Sequence, residues 1–183
     1  MTNFQKIFIY VEGTEDQMFV ENILRELFFK SQIQFFVIPY QQKPNDDINK
    51  HIQKISSRNY NYVFLSDLDY KFYPCFTSRK NKRIKEYPNL NNQNIVIVRE
   101  EIESWYLAGI DNSNSFFRDL EIPNNTENIT KEDFNDILEK SHFTSKGDFL
   151  MEISRTYDLN LALKRNKSLK YFLNKLNLLE NNC

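Results

Sequence analysis

The chain has 183 residues and a mass of 22.1 kDa, with 24 basic and 25 acidic residues and a formal net charge of −1. This length suffices for one domain with a full core, and the near-neutral charge means that binding a polyanion would need local basic patches. No stretch approaches the ~20 apolar residues of a membrane span, and the N-terminus lacks the basic-then-apolar pattern of a signal peptide. Two cysteines are too few for a disulfide framework, so we expect a cytoplasmic protein.

The opening residues predict a strand, a tight turn and a helix. Ile7–Val11 is an uninterrupted β-branched and aromatic run, typical of a strand buried on both faces of a parallel sheet. Gly13 would allow a sharp turn, and Thr14 with Gln17 forms a capping-box pattern that begins a helix. Glu12 is therefore expected at the carboxyl end of a buried strand, where open α/β sheets bind their ligands.

Further apolar runs alternate with helical patterns along the chain. The expected strands lie at residues 7–11, 35–38, 62–65 and 95–98. Helices are expected between the first three strands, at residues 18–28 and 48–55. Residues 111–128 are polar and irregular, as in a surface loop or insertion. Three short helical patterns follow, at Glu132–Leu138 with Thr130 as its cap, at Gly147–Ile153 and at Lys167–Leu176.

Strands that alternate with helices predict an α/β fold with a mostly parallel sheet of about four strands, flanked by helices and joined by right-handed crossovers. We expect a core over residues 1–110. Residues 111–183 are expected to be a loop and a helical extension that packs on this core, in a single domain overall. None of the helices in the extension is long enough to build a core of its own.

A second acidic feature, Asp67-Leu68-Asp69, follows the apolar run at residues 62–65. If the strand continues through these residues, both carboxylates point to the same side. A hard divalent cation would relieve their mutual repulsion. Together with Glu12 they offer the oxygen ligands that Mg²⁺ or Mn²⁺ prefers. The alternative is a simple turn, since Asp is common where strands end.

Together these residues resemble the Toprim domain, which topoisomerases, primases and overcoming-lysogenisation-defect type nucleases share. The resemblance rests on Val11-Glu12-Gly13 with Asp16 four positions after the Glu, and on an apolar strand before Asp67-x-Asp69. The segment REEIESWYL, at residues 99–107, is also similar to one in small stand-alone Toprim-like proteins. No topoisomerase tyrosine domain, zinc-binding region or polymerase-like region accompanies these motifs, which disfavours strand passage and priming.

The resemblance implies a Rossmann-like Toprim fold and a metal-dependent phosphodiester mechanism. In this mechanism Glu12 would be a metal ligand or the general base, and Asp67 and Asp69 would hold Mg²⁺ or Mn²⁺. Asp16 would complete the metal shell, although it could equally serve as a negative charge at a helix N-terminus.

The resemblance also implies functional residues in the second half of the chain. Glu103 is the expected further acidic ligand, with Glu100 as its competitor, and either could instead be a solvated helix residue. Lys146, which precedes the last helices, is similar to a lysine of these proteins and would stabilise the transition-state oxygens. The alternative for Lys146 is an ordinary surface position.

Two basic stretches are candidate nucleic-acid surfaces, because basic groups neutralise phosphates and aromatic rings stack on unpaired bases. The first comprises Lys71, Arg79, Lys80, Lys82, Arg83 and Lys85, interleaved with Phe72, Tyr73 and Phe76. The second comprises Arg155, Lys164, Arg165, Lys167, Lys170 and Lys175. The alternative for both is a solvated helix face.

The sequence therefore predicts a Mg²⁺- or Mn²⁺-dependent nuclease acting on DNA or RNA, tRNA included. As a contextual hypothesis, such a protein would act in antiviral defence beside an ATPase partner. The alternative from a different class is a catalytically silent Toprim-like module that binds nucleic acid or a partner protein. A general phosphotransfer enzyme or phosphatase is disfavoured because no phosphate-cradling glycine loop or nucleophile pattern is evident.

Overall fold

The computed structural model describes residues 5–179, so Cys183 lies outside the described range. The chain forms two compact units, the first comprising the described residues up to Val98 and the second beginning at Arg99. This division precedes the expected boundary at residue 110, because the helix that follows the fourth strand contacts later helices. The packing of a C-terminal extension on the core stays a prediction. No helix within residues 5–179 is long and apolar enough to cross a membrane.

The first unit contains a four-stranded, all-parallel sheet. Its strands are β1 (Gln5–Val11), β2 (Ile33–Pro39), β3 (Asn61–Asp67) and β4 (Ile95–Val98). Their order across the sheet is β2-β1-β3-β4. Together with the flanking helices, this confirms the predicted α/β class and is consistent with a Rossmann-like fold.

The helices of the first unit differ in part from those expected. They are α1 (Thr14–Met18), α2 (Arg25–Lys30), α3 (Asn45–Ser57) and α4 (Phe76–Glu86). A π-helical segment, Phe19–Ile23, joins α1 to α2, so the helix predicted at residues 18–28 is divided into three parts. Helix α4 was not predicted, because its residues form most of the first basic stretch and include few apolar side chains.

Aromatic rings fill the core on one face of the sheet. Phe64 of β3 stacks against Tyr40 at 4.3 Å and against Tyr10 of β1 at 5.8 Å between ring centroids. The buried isoleucine side chains of α3 belong to the same cluster. On the opposite face, Phe28 of α2 stacks on Phe35 of β2 at 4.5 Å. Helices therefore pack on both faces, as the long apolar runs of the strands require.

The second unit is helical within the described residues. Its helices are α5 (Glu103–Ala108), α6 (Lys131–Lys140), α7 (Lys146–Thr156), α8 (Leu159–Arg165) and α9 (Lys167–Lys175). Thr130 caps α6 as predicted, whereas α8 was not predicted. Trp105 of α5 stacks on Phe172 of α9 at 5.2 Å.

The irregular segment before α6 is more than a surface loop. Its residues form neither helix nor strand from Gly109 to Thr130, as the polar sequence predicts. Phe117 and Leu120 are nevertheless 1% and 5% exposed. The segment therefore contributes to the core of the second unit.

Candidate functional site

The first acidic cluster lies where the carboxyl ends of β1 and β3 meet. These strands are neighbours in the sheet. The chain runs from β1 to β2 on one side of β1 and then crosses to β3 on the other side of β1. Such a reversal opens a ligand crevice beyond the strand ends. Glu12 follows β1, and its Oε2 accepts a hydrogen bond from the backbone N–H of Asp67 at 3.1 Å, across a separation of 55 residues. The predicted meeting of Glu12 with the Asp67 segment is thus confirmed.

Two arginine side chains of α4 point into this cluster. Arg83 Nη2 donates to Glu12 Oε1 at 2.8 Å, and its Nη1 donates to Glu86 Oε2 at 2.9 Å. Arg79 Nη2 lies 2.6 Å from Asp69 Oδ2 and 3.5 Å from Glu12 Oε1. The two arginine residues are only 4% and 7% exposed, whereas the side chains of Glu12 and Asp69 are 14% and 35% exposed, so these pairs are partly buried.

Two polar side chains that were not predicted support this arrangement. Ser66 Oγ accepts from Arg79 Nε at 3.1 Å and from Arg83 Nε at 2.9 Å. Gln41 Nε2 donates to Glu12 Oε1 at 2.6 Å. The sequence carries one signal for the contact of Ser66 with the two arginine residues. A serine that directly follows the apolar run at residues 62–65 is expected to be buried and to need a hydrogen-bond partner.

Two members of the network, Arg83 and Glu86, have pKa values shifted toward their charged forms. Burial opposes the charge on Arg83, but neighbouring Tyr40, Glu12 and Glu86 outweigh it and raise the Arg83 pKa. Burial likewise opposes the charge on Glu86, but hydrogen bonds and charges from Arg83 and Lys82 lower the pKa of this carboxyl. Burial and the charge of Glu12 raise the pKa of Tyr40, so this phenol stays protonated and donates to Leu65 O at 3.1 Å.

Asp69 reaches the cluster by a different route from the expected one. Strand β3 ends at Asp67, and Asp69 has a φ of 51°, in the left-handed region. The strand therefore does not continue through both carboxylates, and the alternative of a turn after the strand applies. Asp tolerates this conformation in turns. Arg79, rather than strand alternation, holds the Asp69 carboxylate near Glu12.

The turn after Glu12 also differs in detail. Gly13, not Thr14, is the N-cap of α1, and its N–H donates to Asp16 Oδ2 at 3.1 Å. The capping box expected from Thr14 and Gln17 is therefore wrong, because the Asp16 carboxylate takes this role. Gly13 has φ −141° and ψ −165°, an extended conformation that any residue adopts. Asp16 is 5% exposed and acts here as the charge at the helix start.

The carboxylates do not form a metal site in this arrangement. Both Glu12 oxygens accept hydrogen bonds from protein groups, and the Asp69 carboxylate pairs with Arg79. Within residues 5–179, no group of three His, Cys, Asp or Glu side chains could hold a metal ion. A cation that bound to both Glu12 and Asp69 would have to replace the guanidinium group of Arg79.

The first basic stretch separates into two kinds of residue. Arg79 and Arg83 face the carboxylates inside the first unit, so they depart from the expected solvent-facing surface. The lysine residues lie outside. Lys71, Lys82 and Lys85 are exposed, and Lys80 is half-buried. Lys82 pairs with Glu86 at 3.3 Å.

The second unit contains the other two predicted site residues. Lys146 Nζ donates to Glu103 Oε1 at 2.9 Å and lies 5.3 Å from the Phe134 ring centroid. Glu103 is 3% exposed, and it and Lys146 are the first residues of α5 and α7. The competitor, Glu100, is half-buried, and burial raises its pKa. Glu103 and Lys146, which were predicted separately, are therefore in direct contact, whereas their catalytic roles stay predictions.

The second basic stretch is mostly exposed. Lys164 and Lys167, like Arg155, Lys170 and Lys175, face solvent. Arg165 is half-buried, and its Nη1 donates to Ile110 O at 2.7 Å. Arg165 therefore has a structural contact within the second unit.

The fold and this cluster define an α/β protein whose parallel sheet carries an acidic network, neutralised by arginine, at its carboxyl end. Comparisons with protein-family models, with curated proteins and with solved structures find no match to this chain. The resemblance to the Toprim domain therefore rests on the motifs at Glu12 and Asp67 and on the segment at residues 99–107.

Proposed function

We propose that this chain is a nuclease that hydrolyses phosphodiester bonds in DNA or RNA at the carboxyl end of its sheet. The observation that carries the proposal is the hydrogen bond from Asp67 N–H to Glu12, which joins two motifs 55 residues apart at the crevice between β1 and β3. Ligands of open α/β sheets bind at such a crevice. The exposed lysine residues of α4 follow in the same unit.

In this proposal Glu12, Asp67 and Asp69 are the reaction-site carboxylates. Mg²⁺ or Mn²⁺ is the cofactor that the Toprim resemblance implies, although the described arrangement does not form its site. Asp16 and Glu103 are proposed as further acidic residues, and Lys146 as a catalytic lysine. A cytoplasmic location and a defence role beside an ATPase partner also belong to the proposal, and a neighbouring ATPase or defence gene would support the latter.

The test is cleavage of labelled single-stranded and duplex DNA and RNA, and of tRNA, by the purified chain in Mg²⁺ or Mn²⁺. We expect Glu12→Gln and Asp67→Asn to abolish cleavage. The matched control is Glu26→Gln, which makes the same chemical change at a side chain that is 83% exposed. Cleavage that persists in Glu12→Gln and Asp67→Asn at the wild-type rate would refute the site.

A second candidate is a catalytically silent module that binds nucleic acid or a partner protein. It is supported by the two buried arginine residues, which neutralise Glu12 and Asp69 without any metal. Calorimetry with Mg²⁺ and Mn²⁺ separates the candidates. If the chain is a nuclease, it binds a cation, and Glu12→Gln weakens that binding. If it is a silent module, it binds no cation at these carboxylates.

A further inference from the structure

A turn of exposed aromatic residues begins at the candidate site itself. It connects β3 to α4 and is held to Asp69, because the N–H groups of Phe72 and Tyr73 donate to Asp69 O at 2.7 and 3.1 Å. The first residue of this turn thus also provides the carboxylate that pairs with Arg79. Whatever binds to the turn lies beside the acidic network.

Three large rings of this segment, Tyr70, Phe72 and Phe76, face solvent. They are 61%, 74% and 46% exposed, although they lie within seven residues of sequence. We call these three residues the aromatic turn. Tyr73 provides the contrast, since the guanidinium group of Arg79 lies 4.6 Å from its ring centroid. The segment therefore packs one partly buried ring against the network and leaves three rings exposed, and clustered exposed apolar surface indicates a binding site.

The charge around the aromatic turn selects the kind of ligand. No acidic residue occurs from Tyr70 to Lys85. Lys71 lies between two of the rings and is exposed. Lys80 follows Phe76 by four positions on α4, so these two side chains share a helix face. Exposed rings interleaved with positive charge match a polyanion that carries flat apolar groups.

We propose that the aromatic turn binds single-stranded DNA or RNA by stacking on unpaired bases, with the phosphates drawn to Lys71 and Lys80. A duplex hides the faces of its bases, so the turn favours single strands. The inference rests on the proposed function, because it names the substrate class of the same site. It places the backbone of a bound strand next to Glu12 and Asp69.

The experiment measures fluorescence anisotropy of a labelled mixed-sequence oligonucleotide without divalent metal, so that no cleavage intervenes. Each DNA and RNA strand is compared with its own duplex. We expect Phe72→Ala to weaken single-strand binding about tenfold and the Tyr70→Ala/Phe72→Ala pair roughly a hundredfold, since each stacked base contributes about 1–3 kcal/mol. Lys71→Gln should weaken the salt dependence of binding. The matched control is Phe29→Ala, since Phe29 of α2 is also 74% exposed.

The outcomes separate this inference from the nuclease. The stacking site would be overturned if Phe72→Ala bound the single strand as tightly as the wild type does. It would also be overturned if Phe29→Ala lost as much affinity as Phe72→Ala, or if the wild type bound duplex as tightly as the single strand. A Phe72-dependent dimer in sedimentation, without oligonucleotide binding, would overturn it in favour of self-association. If the chain binds single strands in a way that depends on Phe72 but cleaves no substrate, the stacking site is supported and the nuclease is rejected. Circular dichroism confirms that these surface variants fold.

Discussion

The two units pair their acidic side chains with cations in different ways. In the first unit, Arg79 contacts both Asp69 and Glu12, and Arg83 joins Glu12 to Glu86. In the second unit, Lys146 Nζ lies 2.9 Å from Glu103 Oε1. Without Arg79, Glu12 still contacts Arg83, whereas the loss of Lys146 removes a cation from beside a carboxylate that is 3% exposed. The difference therefore predicts unequal costs for removing one cation from each unit.

The largest expected effect is that of Lys146→Gln. This change removes the positive charge beside a Glu103 carboxylate that is 3% exposed, and breaking a buried pair in this way costs about 3 kcal/mol of unfolding free energy. Urea unfolding followed by Trp105 fluorescence measures it, because this single tryptophan of the chain lies in α5.

The control for this prediction is the double variant Glu103→Gln/Lys146→Gln. It replaces both charges by amides, so it should recover part of the lost stability. If Lys146→Gln unfolds at the wild-type urea concentration, the pair contributes nothing and the contrast between the two units fails.

A smaller cost is expected for Gly109→Ala, at the end of α5. An added Cβ would overlap the ring of Tyr157, whose O–H donates to Trp105 O at 2.6 Å. Such overpacking lowers the free energy of unfolding by about 2 kcal/mol. Gly13→Ala is the matched control, since the nearest atom to its added Cβ is 3.9 Å away. The Trp105 unfolding curve should shift for Gly109→Ala alone, and equal shifts in both variants would contradict the packing argument.

The glycine residues show where sequence reasoning fails. Of the three glycine residues of the chain, Gly13 was expected to allow a sharp turn beside Glu12. None of the three, all within the described residues, has a positive φ, and the clearest need for a glycine lies at Gly109, against a ring 48 positions away. The left-handed conformations instead occur at Asp69 and at three other residues. Close packing between distant positions leaves no local pattern.

The positions of the four strands could be predicted, whereas the end of β3 and the role of α4 could not. β4 occurs at the predicted Ile95–Val98, because a buried parallel strand needs an uninterrupted apolar run. Arg79 and Arg83 looked like surface charges, since arginine is rarely buried without partners. Their partner Glu12 lies 71 positions from Arg83, so only the folded sheet brings the charges together. The acidic half of the network was therefore visible in the sequence and its cationic half was not.

In the first unit, Arg79→Gln should lower the free energy of unfolding by about 1 kcal/mol. This is less than the loss expected for Lys146→Gln in the second unit. Glu12 keeps its contacts with Arg83 and Gln41, and the Asp69 side chain is 35% exposed and can be hydrated. Amide hydrogen exchange in β1 measures this cost. Under the proposed function the same change should strengthen Mn²⁺ binding in calorimetry, because the guanidinium group no longer competes for the two carboxylates.

Lys82→Gln is the control for this prediction, because Lys82 belongs to the same helix but pairs with Glu86 at the surface. It should leave Mn²⁺ binding unchanged. If Arg79→Gln binds Mn²⁺ no more tightly than the wild type does, Arg79 does not occupy the position of a metal cation. If hydrogen exchange in β1 shows that Arg79→Gln loses as much stability as Lys146→Gln does, the expected difference between the two units is contradicted.

The smallest effect is a pH dependence confined to the first unit. Tyr10 O–H lies 2.9 Å from His51 Nδ1, and burial, followed by the charges of Lys43 and Lys54, lowers the His51 pKa. As pH falls below about 6.5, the usual histidine pKa, the unfolded chain binds a proton before the folded one does. The stabilisation from neutral His51 is therefore complete above that pH and is lost as pH falls toward the lowered folded value.

His51→Gln should remove this part of the pH dependence, since an amide does not titrate and can still accept a hydrogen bond from Tyr10. Hydrogen exchange in β1 at pH 7.5 and 5.5 measures the change in the first unit, with His142→Gln as the matched change in the second. Because other carboxyls titrate at lower pH, only the difference between wild type and His51→Gln isolates this histidine. If the two lose equal stability between these pH values, the lowered pKa of His51 does not contribute to the acid response, and the first unit owes that response to its carboxylates alone.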